Sequence, residues 1–402
     1  MRAAVISLFL LLLLAMSQYD SVALVLSRLA GRPLAVNPWA AAVVLTAFAT
    51  FAAYVAERLL RRRGVPSGGA AGWWAAALAV VLLVSSPYCG LWRCAGTAFS
   101  ALVFYAAFAV WKRRVGRGCV GADNGKCDYR VLCPVVFETA ALCLFMGVAP
   151  AAPRVAQYEH RAAQSLFKGQ TAEALRAGGR SLDCSPALFA LRCYAWSKED
   201  GGLPANFLRL ALPGGAAPHV GSEALLLHRT GRSPYIDAMA DSLQNALGLP
   251  PGQGGTEDAL AYFRRCARQA GDGSSVAADY YLCALLLDKR LDDFARELRR
   301  YYAAGLRTGK ALPVYYAQAL TLYSHYHPAL AASFADIAAD SNGRDDTKAA
   351  DRSANSATDA NWRDYSDMGD KIPDRQERAN TLRRYYGETY WWYYDYAVGT
   401  RQ

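Results

Sequence analysis

The chain has 402 residues, 53% of them hydrophobic, a formal net charge of +10 and a mean hydropathy of only +0.04. These averages hide two halves: residues 1–150 carry 14 Lys/Arg against 5 Asp/Glu, whereas residues 151–402 carry 30 against 29. The basic excess belongs to the apolar half, where it has a topological use, and the balanced half lacks the one-signed face of a nucleic-acid binder, so no nucleic-acid partner is expected.

Five apolar stretches open the chain, near residues 3–19, 38–55, 70–86, 95–111 and 131–149. They predict a transmembrane helical bundle over residues 1–150, with the lipid bilayer as its partner. The last stretch, 19 residues long, spans about 28 Å as a helix at ~1.5 Å per residue. Several of the others fall near the lower limit for crossing. Trp73-Trp74 and Trp111 sit at stretch ends, where amphipathic rings suit the headgroup boundary.

Loop charge gives the bundle a direction. Arg58, Arg61, Arg62 and Arg63 follow the second stretch, and Lys112, Arg113, Arg114, Arg117, Lys126 and Arg130 follow the fourth. The intervening loops hold Arg28 and Arg32, or Arg93 alone. Because Lys and Arg are retained on the cytoplasmic side, five crossings place both rich loops inside and the C-terminal domain outside. The competing reading of residues 1–17 is a signal peptide, with Met1-Arg2 as its n-region and Ala15-Met16-Ser17 as a cleavage site. Cleavage would leave four spans and the same exterior domain.

Glu138 is the one acidic residue inside an expected span. An ionisable group there costs at least ~2.5 kcal/mol, so it faces either a substrate or proton path, or a neighbouring Ser or Thr. Without an intramembrane cation, the second reading is favoured.

Ten cysteines divide by side. Cys119 and Cys127 fall in an inner loop, Cys133 and Cys143 near the fifth stretch, and Cys89 and Cys94 beside an outer loop. Cys184, Cys193, Cys266 and Cys283 lie in the outer domain, where an oxidising compartment permits disulfides. Pairs 184–193 and 266–283 are nearest in sequence, although four cysteines allow three connectivities. No spacing matches a zinc site, so neither a metal nor any other cofactor is expected.

From Arg154 the pattern turns to short amphipathic segments punctuated by Gly and Pro. Helices are predicted at Tyr158–Phe167, Ala172–Leu182, Pro186–Trp196, Leu203–Leu212, Ser222–His228, Pro234–Leu247, Glu257–Ala270 and Val276–Leu287. Ser185 before Pro186 and Ser233 before Pro234 read as N-caps. Tyr280-Tyr281-x-x-Ala284-Leu285-x-Leu287 recurs 35 residues later as Tyr315-Tyr316-x-x-Ala319-Leu320-x-Leu322, with amphipathic Asp292–Leu306 between, ending at Gly305. That period is close to the ~34 residues of tetratricopeptide (TPR) repeats, whose helix pairs stack into an alpha-solenoid. The fold class expected is thus all-α: a bundle followed by a TPR-like helical-repeat domain over residues 151–339, with an irregular helical bundle as the competing reading. Residues 340–370 have little apolar content and read as a disordered insertion. Asp345, Asp346 and Asp351 there are offset by Arg344, Lys348 and Arg352, which argues against calcium.

Residues 371–402 predict a C-terminal helix with an aromatic tail. Eight of the twelve residues 385–396 are Tyr or Trp. Such rings close a core, lie at headgroups, or form a recognition surface; Tyr390, Trp391, Trp392 and Tyr394 are the candidates for partner binding.

With Tyr158-Glu159-His160, Gly202-Leu203-Pro204-Ala205-Asn206-Phe207 and Tyr386-Gly387-Glu388-Thr389-Tyr390-Trp391-Trp392-Tyr393-Tyr394, the chain resembles a family of uncharacterised multi-pass proteins from Bacteroidota. In that family several spans precede a tetratricopeptide-like region. The resemblance covers most of residues 131–398 and implies an inner-membrane protein with a periplasmic helical domain. It implies no activity.

The function expected is a membrane-anchored scaffold presenting its helical domain to a protein or envelope component. An enzyme acting on lipid-linked or glycan substrates is the alternative, with His160 beside Glu159 as its best group. His325 and His327 point about 200° apart on a helix and make a poor metal pair. Transport rests on Glu138 alone. The topology is testable: a periplasm-dependent reporter fused after Gln402 is expected to be active and one after Arg114 silent, and the opposite pair of results would reverse the orientation.

Overall fold

The computed structural model describes residues 2–17, 19–35, 37–62, 71–85, 136, 139–144, 154–179, 181, 184–199, 202–211, 221–231, 233–248, 258–273, 275–307, 312–328 and 348–397. Among these residues the chain is helical and contains no strand. It divides into two compact units, Met1–His160 with Gly231–Tyr235, and Arg161–Thr230 with Ile236–Gln402.

In the first unit, α1 (Arg2–Leu12) runs through a π-helical turn, Leu13–Ser17, toward α2 (Tyr19–Ala30). The axis bends by 77° between Val5–Ala15 and Asp20–Ala30, so the first expected span is one arm of a bent pair. α3 (Pro38–Arg62) is 25 residues long and begins at Asn37, whose Oδ1 accepts from the Trp39 amide at 3.0 Å. α4 (Ala71–Ser85) has 15 residues, about 22 Å of helix, short of the ~30 Å hydrocarbon thickness. The described residues therefore carry part of the expected five-span bundle. Among the described residues one helix, Trp39–Leu59, is long and apolar enough to cross a membrane, or two if the bent pair is one span. The stretch at 95–111 lies outside the described residues, as does most of 131–149, including Glu138.

The core of this unit gathers Ile6, Leu10, Leu14, Val22, Trp73, Trp74, Val81 and Leu142 around the alanines of α3. On α3 the buried positions are small, Ala42, Ala49 and Ala53, while Val44, Phe48 and Phe51 are 66%, 70% and 64% exposed. Small residues let α1 and α4 approach the α3 backbone. A hydroxyl pair, Ser7 Oγ and Thr50 Oγ1 at 3.1 Å, links α1 to α3.

α5 (Arg154–Phe167) carries His160, which is buried on the first-unit side of the division. Its ring meets Tyr235 edge-on, with centroids 5.0 Å apart, and the Tyr235 hydroxyl donates to the Leu34 carbonyl at 2.6 Å. Neither ring nitrogen has a hydrogen-bond partner in good geometry. Burial pulls the His160 pKa from its ordinary 6.5 to about 4; the Asp20 backbone carbonyl opposes this and the positive charge of Arg28 adds to it.

The second unit is built around α11 (Val276–Leu287), ten of whose twelve residues are buried. That all-round burial identifies it as a core helix, although it is apolar throughout. Before it come α6 (Thr171–Arg176), α7 (Pro186–Ser197), α8 (Gly202–Ala211), a 3-10 turn at Ser222–Leu225, α9 (Pro234–Leu247) and α10 (Ala259–Ala270). After it come α12 (Leu291–Arg307), α13 (Val314–Tyr326), α14 (Lys348–Asp370), α15 (Arg375–Tyr386) and α16 (Tyr390–Tyr396). Ser185 caps α7 through the Leu188 amide as expected, and Ser275 caps α11 through Ala278, both at 3.1 Å. The helix expected at Ala172–Leu182 stops at Arg176, Ser222–His228 forms only a 3-10 turn, and α12 continues past Gly305 to Arg307.

The 35-residue repeat falls on α11 and α13, with Tyr280, Tyr281, Tyr315 and Tyr316 all buried. α12 packs against both helices, presenting Leu291, Phe294, Ala295, Leu298, Tyr301 and Tyr302 at helical spacing. α8 also packs against both α11 and α13, a contact that a strict nearest-neighbour stack would not make. What is established is a helical domain containing one internal repeat.

Within the insertion expected at 340–370, residues 348–370 form α14, which packs on α13 and α15. Its docking face is Trp362, Tyr365 and Gly369, at i, i+3 and i+7. Tyr365 is buried and its hydroxyl donates to Asp395 Oδ2 at 2.5 Å.

His160 gives the fold a pH signature. The unfolded chain binds a proton below about 6.5 that the folded chain refuses until about 4, so stability is full above pH 6.5 and is lost as pH falls through that window. The loss is on the order of 3 kcal/mol. Melting of the full-length protein at pH 7.5 and 4.5 should show a larger drop for the wild type than for His160→Phe; equal drops would remove His160 from the account.

Candidate functional site

The C-terminal end of α11 lies in the interior of the second unit, so its last carbonyls need donors other than water. Asp288 N donates to the Ala284 carbonyl, Arg290 N to Leu285 at 2.9 Å, and Lys289 N to Leu286 at 3.1 Å. This is a Schellman arrangement with Lys289 in the left-handed position at φ 57°, where glycine is usual. Two hydroxyls complete the set: Tyr390 donates to the Leu286 carbonyl at 3.2 Å and Tyr393 to Leu287 at 2.8 Å. Lys289 Nζ reaches the Ala397 carbonyl at 2.6 Å and lies 5.6 Å above the Tyr393 ring.

α16 is fixed by Thr389, which caps it through the Trp392 amide, and by Gln318 of α13. Gln318 Oε1 accepts from the Tyr390 amide and the Gln318 carbonyl accepts from Trp391 Nε1, both at 2.8 Å. Trp392 Nε1 donates to the Ala379 carbonyl of α15. Trp391 is 1% exposed and lies 5.3 Å from Trp362. Tyr390, Trp391 and Trp392, three of the four candidates for partner binding, are buried in this structure. Tyr394 alone among the four keeps partial exposure.

Tyr394 lines a cleft of about 540 Å³ with Lys289, Arg290, Leu291, Asp292, Asp293, Tyr326 and His327. Its volume suits a small ligand or one unit of a polymer. One wall is the α11–α12 turn and the start of α12; another is the C-terminal end of α13. The ions are paired across and along these walls. Arg290 bonds Asp293 at 2.5 Å, and His327 Nε2 lies 3.3 Å from Asp292 Oδ1. Tyr326, 51% exposed, stands 6.2 Å from the Tyr394 ring. His327 packs on Tyr323, whereas His325 packs on Trp362, so the two histidines diverge as their spacing implied. Among the described residues no group of three metal-ligating side chains converges.

The cleft was not identified from sequence, although the repeat contained its signal. A 35-residue offset places the segment after α11 and the end of α13 at equivalent ends of parallel helices, and the charged run Asp288–Asp293 falls there.

The four cysteines of the second unit lie as follows. No disulfide joins Cys184 to Cys193 or Cys266 to Cys283; each is a thiol, and burial pushes the pKa of Cys193 and Cys283 up. The buried Arg192 donates to the Ala177 carbonyl at 2.6 Å and faces Cys184 Sγ at 3.9 Å, while the Cys283 thiol pairs with the Tyr316 hydroxyl at 3.6 Å. The remaining cysteines except Cys143 lie outside the described residues.

Residues 255–397 match the model of a family of unknown function (DUF6057). That stretch contains α11 to α16, every cleft residue and the terminal aromatic motif, but neither Tyr158–His160 nor Gly202–Phe207. No curated protein and no solved structure matches the chain significantly.

The burial pattern separates core from surface within the tail. Trp391→Ala is expected to destabilise the second unit by about 3–5 kcal/mol. Tyr385→Ala, at a 64%-exposed ring six residues earlier, should stay within about 0.5 kcal/mol of wild type. Denaturant unfolding followed by near-ultraviolet circular dichroism would measure both; similar effects would refute the assigned roles.

Proposed function

We propose that this protein is a membrane-anchored scaffold whose helical domain, held outside the cytoplasm, captures a protein or envelope component. The observation that carries the binding part is the cleft beside α16, within the stretch that matches a family model. Pairing at its rim organises side chains before a ligand arrives, and ligand-sized concavity lined by convergent polar groups is the usual form of a binding site.

The anchoring part draws support from α3. Large apolar side chains face outward there and alanines inward, the arrangement expected where hydrocarbon surrounds a helix. A five-span, inner-membrane topology with a periplasmic second unit, and stacking of further repeats, belong to this proposal on the loop charges and the resemblance.

Because Trp391 and Trp392 are buried, the binding test belongs to the cleft. Full-length protein in nanodiscs, exposed to solubilised envelope, is expected to retain a component that Asp292→Ala and Tyr326→Ala lose at least tenfold, with unchanged melting. Retention of nothing, or retention indifferent to both substitutions, would overturn the reading.

A further inference from the structure

The proposal above leaves open what enters the cleft, and its charges narrow the choice. Lys289 and Arg290 stand against Asp292 and Asp293, an equal count of each sign. Arg290 is engaged with Asp293, Asp292 with His327, and Lys289 with the Ala397 carbonyl. An anion would have to displace Asp293 from Arg290 or lie beside the carboxylates, and a cation would meet the opposite conflict. Neither gains net attraction from a neutral rim.

A neutral ligand that carries both donors and acceptors meets no such cost. Carboxylate oxygens of Asp292 and Asp293 can accept while the guanidinium and ammonium groups donate, and none of the existing pairs must break. The remaining lining is Leu291, His327 and two tyrosines: Tyr326 and Tyr394, 6.2 Å apart and tilted by 40°, offer ring area with a hydroxyl on each ring. Such rings suit a ligand with an apolar C–H face and polar edges. We infer that the cleft binds a neutral, polyhydroxylated ring, that is, a saccharide unit of an envelope polymer or glycan. The inference rests on the binding reading given under Proposed function.

The test uses the full-length protein in nanodiscs, because a glycoside detergent would compete for the cleft. Maltotriose, cellotriose and the trimer of N-acetylglucosamine are the probes, each followed by saturation-transfer NMR at millimolar concentration. At least one is expected to receive transfer, and the effect should fall about tenfold in Tyr326→Ala. Tyr394→Ala should behave alike if its melting matches wild type; if it does not fold, the exposed Tyr326 carries the test, with Tyr326→Phe retaining the ring and most of the binding. Absence of transfer to all three, or transfer indifferent to Tyr326→Ala, overturns the inference. If an envelope component is captured through the cleft but is destroyed by protease rather than by glycosidase, the saccharide assignment fails and the binding reading stands. If neither capture nor transfer occurs, both fail.

Discussion

A helix that ends inside a protein must find donors for carbonyls that water cannot reach, and the second unit is organised around that requirement at α11. An unpaired buried carbonyl costs about 1–3 kcal/mol, and α11 ends with a turn of them. The turn Asp288–Arg290 supplies three amides, and two tyrosines of α16 supply hydroxyls. The same turn, having reversed the chain through Lys289, forms one wall of the cleft. Placement of α16 then fixes Tyr394 on another. The cleft is thus a by-product of terminating a buried helix, which explains why its parts come from segments more than a hundred residues apart.

Helix α3 of the first unit obeys the opposite rule for its own side chains. In the second unit large apolar groups fill the interior, as Tyr280, Phe294 and Trp391 do. Its inward positions are alanines and its large groups, Val44, Phe48 and Phe51, face outward. Water would penalise such a surface by roughly 25 cal/mol per Å² of apolar area, whereas hydrocarbon is indifferent to it and leaves packing closeness to decide the inner face.

Much of this was legible in sequence where one signal acted alone. Helices at Pro234–Leu247 and Val276–Leu287 begin and end where pattern and caps place them. Legibility failed where composition and position disagreed. Residues 348–370 are too polar on average to suggest order, yet two aromatics one turn apart, Trp362 and Tyr365, suffice to dock them against Trp391 and Tyr386. Trp391 and Trp392 looked available because their neighbours are as aromatic as they are; only the path of α16 separates them from exposed Tyr385. The cysteine pairs were inferred from proximity along the chain. On α7 Cys193 is fully buried, while Arg192 faces Cys184. Hydropathy reports composition and is blind to the bend at Leu13–Ser17, so the shape of the first stretch was not legible.

The two tyrosine hydroxyls that close α11 arrive late. Tyr390 and Tyr393 follow their carbonyl partners by 104 and 106 residues. During synthesis at about 5–20 residues per second, α11 therefore waits at least several seconds with an incomplete end. Long-range closure of this kind also raises contact order and slows folding after release. Until it occurs, the most apolar helix of the second unit has an unfinished terminus, so the nascent domain stays open to solvent at that end. The cost of building a cleft wall from a helix end is borne in time, while the chain is being made, rather than in the stability of the finished protein.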